Sequence, residues 1–118
     1  MASERDLAGR TKNFALRIVR LYAALPKTTE AQVLGKQVLR SGTSVGAHYR
    51  EANRARSNAE FISKMEVGLQ ELEETGYWLE LLCETEIIQA SLLSGLLAEQ
   101  GELTAIFVSC VKAAKERR

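Results

Sequence analysis

The strongest constraint on this chain is a spacing. Between three breaks, apolar residues recur at every third and fourth position, the repeat that turns one face of an α-helix toward a core. Leu25-Pro26-Lys27-Thr28-Thr29 is the first break. Proline stops one helix there, and Thr29 with Gln32 has the spacing of a capping box for the next. Ser57-Asn58-Ala59-Glu60 is the second break, again a Ser-x-x-Glu box, and the third falls between Thr85 and Gln89. The spacing predicts helices over 6–25, 30–55, 58–85 and 89–116. Links this short make successive helices antiparallel neighbours, so the expected fold is all-α, one up-down-up-down antiparallel four-helix bundle spanning 1–118.

The expected core is one seam per helix. The first carries Leu7, Phe14, Ile18, Leu21 and Leu25; the second Ala31, Leu34, Val38, Gly42, Val45, Tyr49 and Ala52. The third carries Phe61, Met65, Gly68, Leu72, Leu79 and Cys83, and the fourth Leu92, Leu96, Leu103, Phe107, Cys110 and Ala114. Ala, Leu, Glu, Lys and Arg dominate, the single proline sits in a break, and no alternating β-branched run reads as a strand. At 118 residues the size suits one domain.

Glycine inside a helix costs about 1 kcal/mol relative to alanine, which calls for a packing reason. Gly42, Gly46 and Gly68 are read as close-packing positions. In a hairpin about Ser57, Gly46 and Gly68 stand at one level, where two glycines would let backbones approach. The alternative is a locally weak helix at Ser41–Ser44, which a kink would reveal.

On a 100°-per-residue wheel, Leu16 and Val19 fall away from the first seam. Val67, Tyr77, Trp78 and Leu81 fall away from the third. Each alone could be a rim residue, but apolar side chains on both faces of two helices imply a second buried surface, an oligomer interface. Charge points the same way. Residues 1–56 hold eleven Lys/Arg against four Asp/Glu, a balance of +7, and residues 57–118 hold five against eleven, a balance of −6. Arg10, Arg17 and Arg20 flank the first helix; Glu60, Glu66, Glu71, Glu73, Glu74, Glu80 and Glu84 line the third. One copy's first helix is expected to meet the next copy's third in a head-to-tail ring.

Catalytic chemistry is not expected. His48 is the only histidine, with no partner at metal-ligand spacing, and no phosphate-binding glycine loop occurs. Ser41, Ser44 and Cys83 lack a base and an orienting acid nearby in sequence. No cofactor and no metal are expected, and Cys83 and Cys110 read as small core residues. The polar start Met1–Asp6 and the shortness of every apolar run predict no leader and no membrane span, hence a cytoplasmic protein. Arg10, Arg17, Arg20, Lys36, Arg40 and Arg54 form a candidate phosphate-binding flank for RNA or DNA, with a merely solvated charged face as the alternative.

The run from Leu34 to Ala52, LGKQVLRSGTSVGAHYREA, resembles the signature of the four helix bundle proteins encoded within intervening sequences of bacterial 23S rRNA genes. The likeness continues through Ser57, Glu60–Lys64, Leu69–Thr75 and Tyr77–Leu79, and Phe14, Ile18, Leu21 and Leu25-Pro26-Lys27 fit the family's first helix. It thins after about Thr85. The resemblance implies a homopentameric ring without established enzyme activity, and a related branch, the accessory variability proteins of diversity-generating retroelements, binds nucleic acid and partners a reverse transcriptase. Two departures stand out: His48 occupies a position where the family favours asparagine, and the net charge of +1 is far from the basic branch. The expected partners are therefore a second copy of the chain and, secondarily, RNA, DNA or a nucleic-acid enzyme; a plain protein–protein adaptor is the alternative.

Overall fold

The computed structural model describes residues 6–117. Met1–Arg5, on which part of the amino-terminal reading rests, lie outside them. Four helices follow in order: α1 (Leu7–Ala24), α2 (Thr29–Asn53), α3 (Asn58–Glu84) and α4 (Ala90–Glu116). No strand occurs among the described residues. Each helix packs on the next, and α1 returns to meet α4 along a short line, so α1 and α3 occupy diagonal corners of the bundle.

Each helix start shows how the sequence sets a boundary. The Asp6 carboxylate accepts from the Gly9 N–H at 3.0 Å and caps α1. The cap of α2 is Thr28, one residue before the expected Thr29, and its hydroxyl accepts from Ala31 N at 3.3 Å. Gln32 therefore does not close a box. Its amide donates to the Pro26 carbonyl at 2.8 Å and accepts from the Tyr22 hydroxyl at 3.1 Å, tying the α1–α2 turn together. Ser57 caps α3 as expected, accepting from Glu60 N at 3.0 Å, while the Glu60 carboxylate reaches back to Arg56 N at 2.9 Å. Between α3 and α4, Glu86 adopts φ 61°, the left-handed conformation in which a side chain is disfavoured. Gln89 starts α4 without a side-chain cap.

The core follows the seams with one-residue displacements on α3 and α4: Ile62, Leu82 and Val111 are buried where Phe61, Cys83 and Cys110 were expected, and those three are only half-buried. Phe14, Ile18, Val38, Val45, Met65, Leu72, Leu79, Leu103 and Phe107 are fully buried or nearly so. On α4 the expected Leu92 is 72% exposed and Leu93 is buried instead. The reason is phase: Leu93, Leu96, Leu103, Phe107, Val111 and Ala114 lie on one stripe, and Leu92 sits a residue off it. The α2–α3 interface also buries a polar pair that the sequence did not suggest. The Thr75 and Ser41 hydroxyl oxygens lie 2.8 Å apart, each also bonded to its own helix's carbonyl four residues back. Both side chains are fully enclosed, so this satisfied pair ties the register of α2 to that of α3.

The glycines serve different neighbours from those expected. A methyl group at Gly42 would lie 2.8 Å from Ile18, and one at Gly46 would lie 3.2 Å from the Thr11 hydroxyl. Both therefore admit α1, not α3. Gly68 makes room for Phe107 of α4, 2.8 Å from where a methyl would stand, with the His48 Cβ 3.6 Å away. Gly46 and Gly68 do not face each other, because α2 turns its glycine face toward α1. The helix runs unbroken through Ser41–Ser44, whose hydroxyls bond carbonyls one turn back. Gly101, by contrast, has nothing near it. Gly42→Val should therefore lower stability in urea by about 1–3 kcal/mol through overpacking against Ile18. Gly101→Ala should raise it by up to about 1 kcal/mol through helix propensity alone.

Candidate interaction surfaces

The charges that the sequence separates by halves are sorted again by the fold. Arg10 leaves α1 and grips α4. Its guanidinium donates to Glu99 at 2.6 and 3.0 Å and to Glu102 at 2.9 Å. Arg10 and Glu99 keep only 16% and 17% of their side-chain surface exposed. Those carboxylates, Glu99 first, raise the Arg10 pKa further above its ordinary range. Arg40 reaches from α2 to Glu71 at 3.4 Å and to Glu74 on α3. Arg10 and Arg40, two of the six candidate phosphate-binding cations, are thus neutralised as links between helices. Arg17 lies half-buried against α4, its Nη2 3.3 Å from where a methyl on Gly95 would stand. Arg20, Lys36 and Arg54 remain exposed.

Two further exposed cations join them. Lys12 and Arg50 line a groove between α1 and α2 whose floor is Thr11, Ala15, Thr43, Gly46 and Ala47. Lys36, Arg50 and Arg54 fall on one outward stripe of α2 with Arg40, at 100° per residue. Neither Lys12 nor Arg50 has a carboxylate partner among the described residues. Sequence reasoning passed over both, although the α2 spacing would have found Arg50.

The six apolar interface candidates divide by exposure. Leu16, Val19 and Tyr77 are 42%, 46% and 54% exposed. Val67, Trp78 and Leu81 are half-buried, and Trp78 packs on the core of its own bundle. The Tyr77 and Trp78 rings meet edge to face with centroids 5.1 Å apart. The Trp78 indole N–H has no acceptor among the described residues. Around Tyr77 stand the exposed carboxylates Glu73, Glu80 and Glu84.

His48 lies on the α2–α3 seam, with Nδ1 3.6 Å from Glu51 and Nε2 3.9 Å from Glu71. Its two nitrogens face different carboxylates, so they converge on no common point where a metal could sit. Glu51 is held in turn by Lys64 at 3.1 Å, whose hydrogen bond is the main reason that its pKa falls. Among the described residues no group of three His, Cys, Asp or Glu side chains could hold a metal ion. None of the described helices is long and apolar enough to cross a membrane.

Burial pushes the Cys110 thiol upward and does the same to the Tyr49 hydroxyl, where Cys110 and Asp6 add to the shift. In both cases the folded state disfavours the charged form, so stability is complete below the ordinary value and is lost as pH rises past it. Urea unfolding should show a first decline above about pH 8.5 and a second above about pH 10. Cys110→Ala should abolish the first.

Two comparisons frame this geometry. A family model described as 23S rRNA-intervening sequence protein matches residues 4–109. The chain is 40% identical to a protein of unknown function from the S23 ribosomal protein family of Bacteroides thetaiotaomicron, whose crystal structure superposes with a TM-score of 0.86, covering 92% of this chain and 97% of that one. A search among curated proteins finds no match.

Proposed function

The chain belongs to the 23S rRNA-intervening sequence protein family, and on that premise we propose that it acts as a non-catalytic, cytoplasmic, homo-oligomeric scaffold. The observation that carries this reading is the pair of solvent-facing apolar patches on diagonal helices, Leu16 and Val19 on α1 and Tyr77 on α3. Each helix already buries a full seam on its inner face, so these side chains have no role in the core of one copy. A ring of five is what the family resemblance implies; the exposed patches call only for more than one copy.

The lack of catalysis is supported by the commitment of the hydroxyls. Ser41, Thr43, Ser44 and Thr75 all bond carbonyls of their own helices. In light scattering across a concentration series, the protein should weigh a multiple of its 13.1 kDa chain. Leu16→Glu/Val19→Glu should weigh one chain while keeping its helical circular dichroism. A wild-type mass of one chain at every concentration overturns the reading.

A nucleic-acid role is favoured by one observation, the exposed Lys36, Arg50 and Arg54 on a single stripe of α2. Phosphates bound there would give weak-specificity, salt-sensitive affinity. In filter binding to single-stranded RNA, Lys36→Glu/Arg50→Glu/Arg54→Glu should lose the retention that the wild type shows at low salt. Absence of wild-type retention even at low salt removes this reading and leaves a protein–protein adaptor.

A further inference from the structure

We propose that the groove between α1 and α2 is a binding site for a small organic phosphate monoester, its phosphate held by Lys12 and Arg50 and its body resting on the floor between the helices. The inference stands apart from the oligomeric and RNA readings above, neither of which uses Lys12 or the groove floor.

Small side chains on both helices make the groove. Gly46 lies against Thr11, whose hydroxyl would be 3.2 Å from an added methyl, so the two residues stand at one level. Outward of that contact, Ala15 on α1 and Ala47 on α2 leave an open space of about 470 Å³. Small-molecule sites occupy roughly 300–1,000 Å³. Extent decides the kind of occupant. The lining runs from Thr11 to Ala15 on α1 and from Thr43 to Arg50 on α2, about 6 and 10 Å at 1.5 Å per residue. Two turns or fewer on either side are too short a seam for a partner helix and suit a compact molecule.

Charge selects an anion. Lys12 and Arg50 face the groove from opposite helices, both exposed, and no carboxylate lines it. The acids nearest them in sequence are engaged elsewhere: Asp6 caps α1 through Gly9 N, and Glu51 is bonded to Lys64. By contrast, a groove of equal volume between α3 and α4 is lined by Glu66 and Glu116 as well as Lys112 and Lys115, with Glu66 and Lys115 paired at 3.0 Å. That lining is balanced, whereas the α1–α2 groove keeps two uncompensated positive charges.

The two cations are placed to share one group. With Gly46 level with Thr11 in antiparallel helices, Arg50 stands four residues to one side of that level and Lys12 one residue to the other. Their axial separation is about 7.5 Å, which two long side chains close on an anion between them. A phosphate monoester carries about −1.5 to −2 charges at pH 7 and three terminal oxygens, enough to meet both cations. A carboxylate would leave one of them unmatched. The floor sets the rest of the ligand. Ala15, Gly46 and Ala47 offer an apolar surface, and the half-buried Thr43 hydroxyl already donates to the Leu39 carbonyl at 2.7 Å. Thr43 therefore presents a lone pair, and a ligand with an apolar face and a hydrogen-bond donor is the better fit.

Calorimetric titration of the full chain tests the site with phenyl phosphate as the probe. It should bind at least about tenfold more tightly than inorganic phosphate or benzoate, and Lys12→Ala and Arg50→Ala should each weaken it about tenfold or more. Ala47→Leu keeps both cations but fills the floor, and should abolish binding. Ala47 is exposed and leucine is a good helix former, so this variant should fold, which circular dichroism checks. Lys36→Ala/Arg54→Ala, outside the groove on the same helix, should leave binding unchanged. An RNA strand with a phosphorylated end and its dephosphorylated twin should compete with phenyl phosphate equally; competition by the phosphorylated strand alone assigns the groove to a strand end and overturns the small-molecule assignment. No binding by the wild type, equal affinity for inorganic phosphate, binding that survives Ala47→Leu, or an equal loss in Lys36→Ala/Arg54→Ala overturns the site.

Discussion

Much of this bundle depends on how closely α1 lies against α2. Gly42 and Gly46 remove the side chains that would hold the two helices apart, and Ile18 and Thr11 occupy the space. Close approach turns Phe14 and Ile18 fully inward, which in turn fixes the opposite face of α1 outward. Leu16 and Val19 are exposed as a geometric consequence. An alanine-rich α2 would be a more stable helix in isolation, but it would stand α1 off and open the core. The intrinsic cost of helical glycine is offset by packing that a bulkier residue would forbid.

The fourth side of the bundle is held differently. Where α1 returns to α4 the two backbones approach over a short stretch only, and the Arg10 fork to Glu99 and Glu102 joins them there. Arg40 makes an analogous link between α2 and α3. Cations of the basic half thus reach carboxylates of the acidic half within one copy, lowering the charge available to outside partners. What remains exposed is more orderly than the raw sequence balance: a cationic stripe on α2, a mixed cationic and apolar stripe on α1, and an acidic stripe around Tyr77 on α3. Surface function in such a bundle is carried by the charges that internal pairing leaves over.

The seams of α1 and α2 were legible because burial follows the helical period closely wherever one stripe is continuous, whereas on α3 both ends slipped by a residue, Ile62 and Leu82 being buried in place of Phe61 and Cys83. Phase was harder on α4, where Leu92-Leu93 and Leu96-Leu97 offer two adjacent stripes of similar hydrophobicity; the packed bundle buries Leu93 and leaves Leu92 exposed. The Ser41–Thr75 pair had no sequence signal, since a hydroxyl inside a helix reads alike whether it meets water or another hydroxyl. The glycine reading found the right residues and the wrong neighbours. Levels along a hairpin follow from residue counts, whereas the direction in which a helix turns its glycine face depends on all three helices around it.

The sequence by itself determined the number of helices, their limits to within two residues, the all-α class and the family, because periodicity, capping residues and the Leu34–Ala52 run are local properties of the chain. It also determined that α1 and α3 have apolar residues to spare. Only the tertiary structure decided which charges are free. Arg10 and Lys12 are two residues apart on one helix, yet one is clamped to α4 and the other faces solvent at the edge of the α1–α2 groove. That difference is a matter of azimuth around a packed bundle, fixed by neighbours far away in sequence.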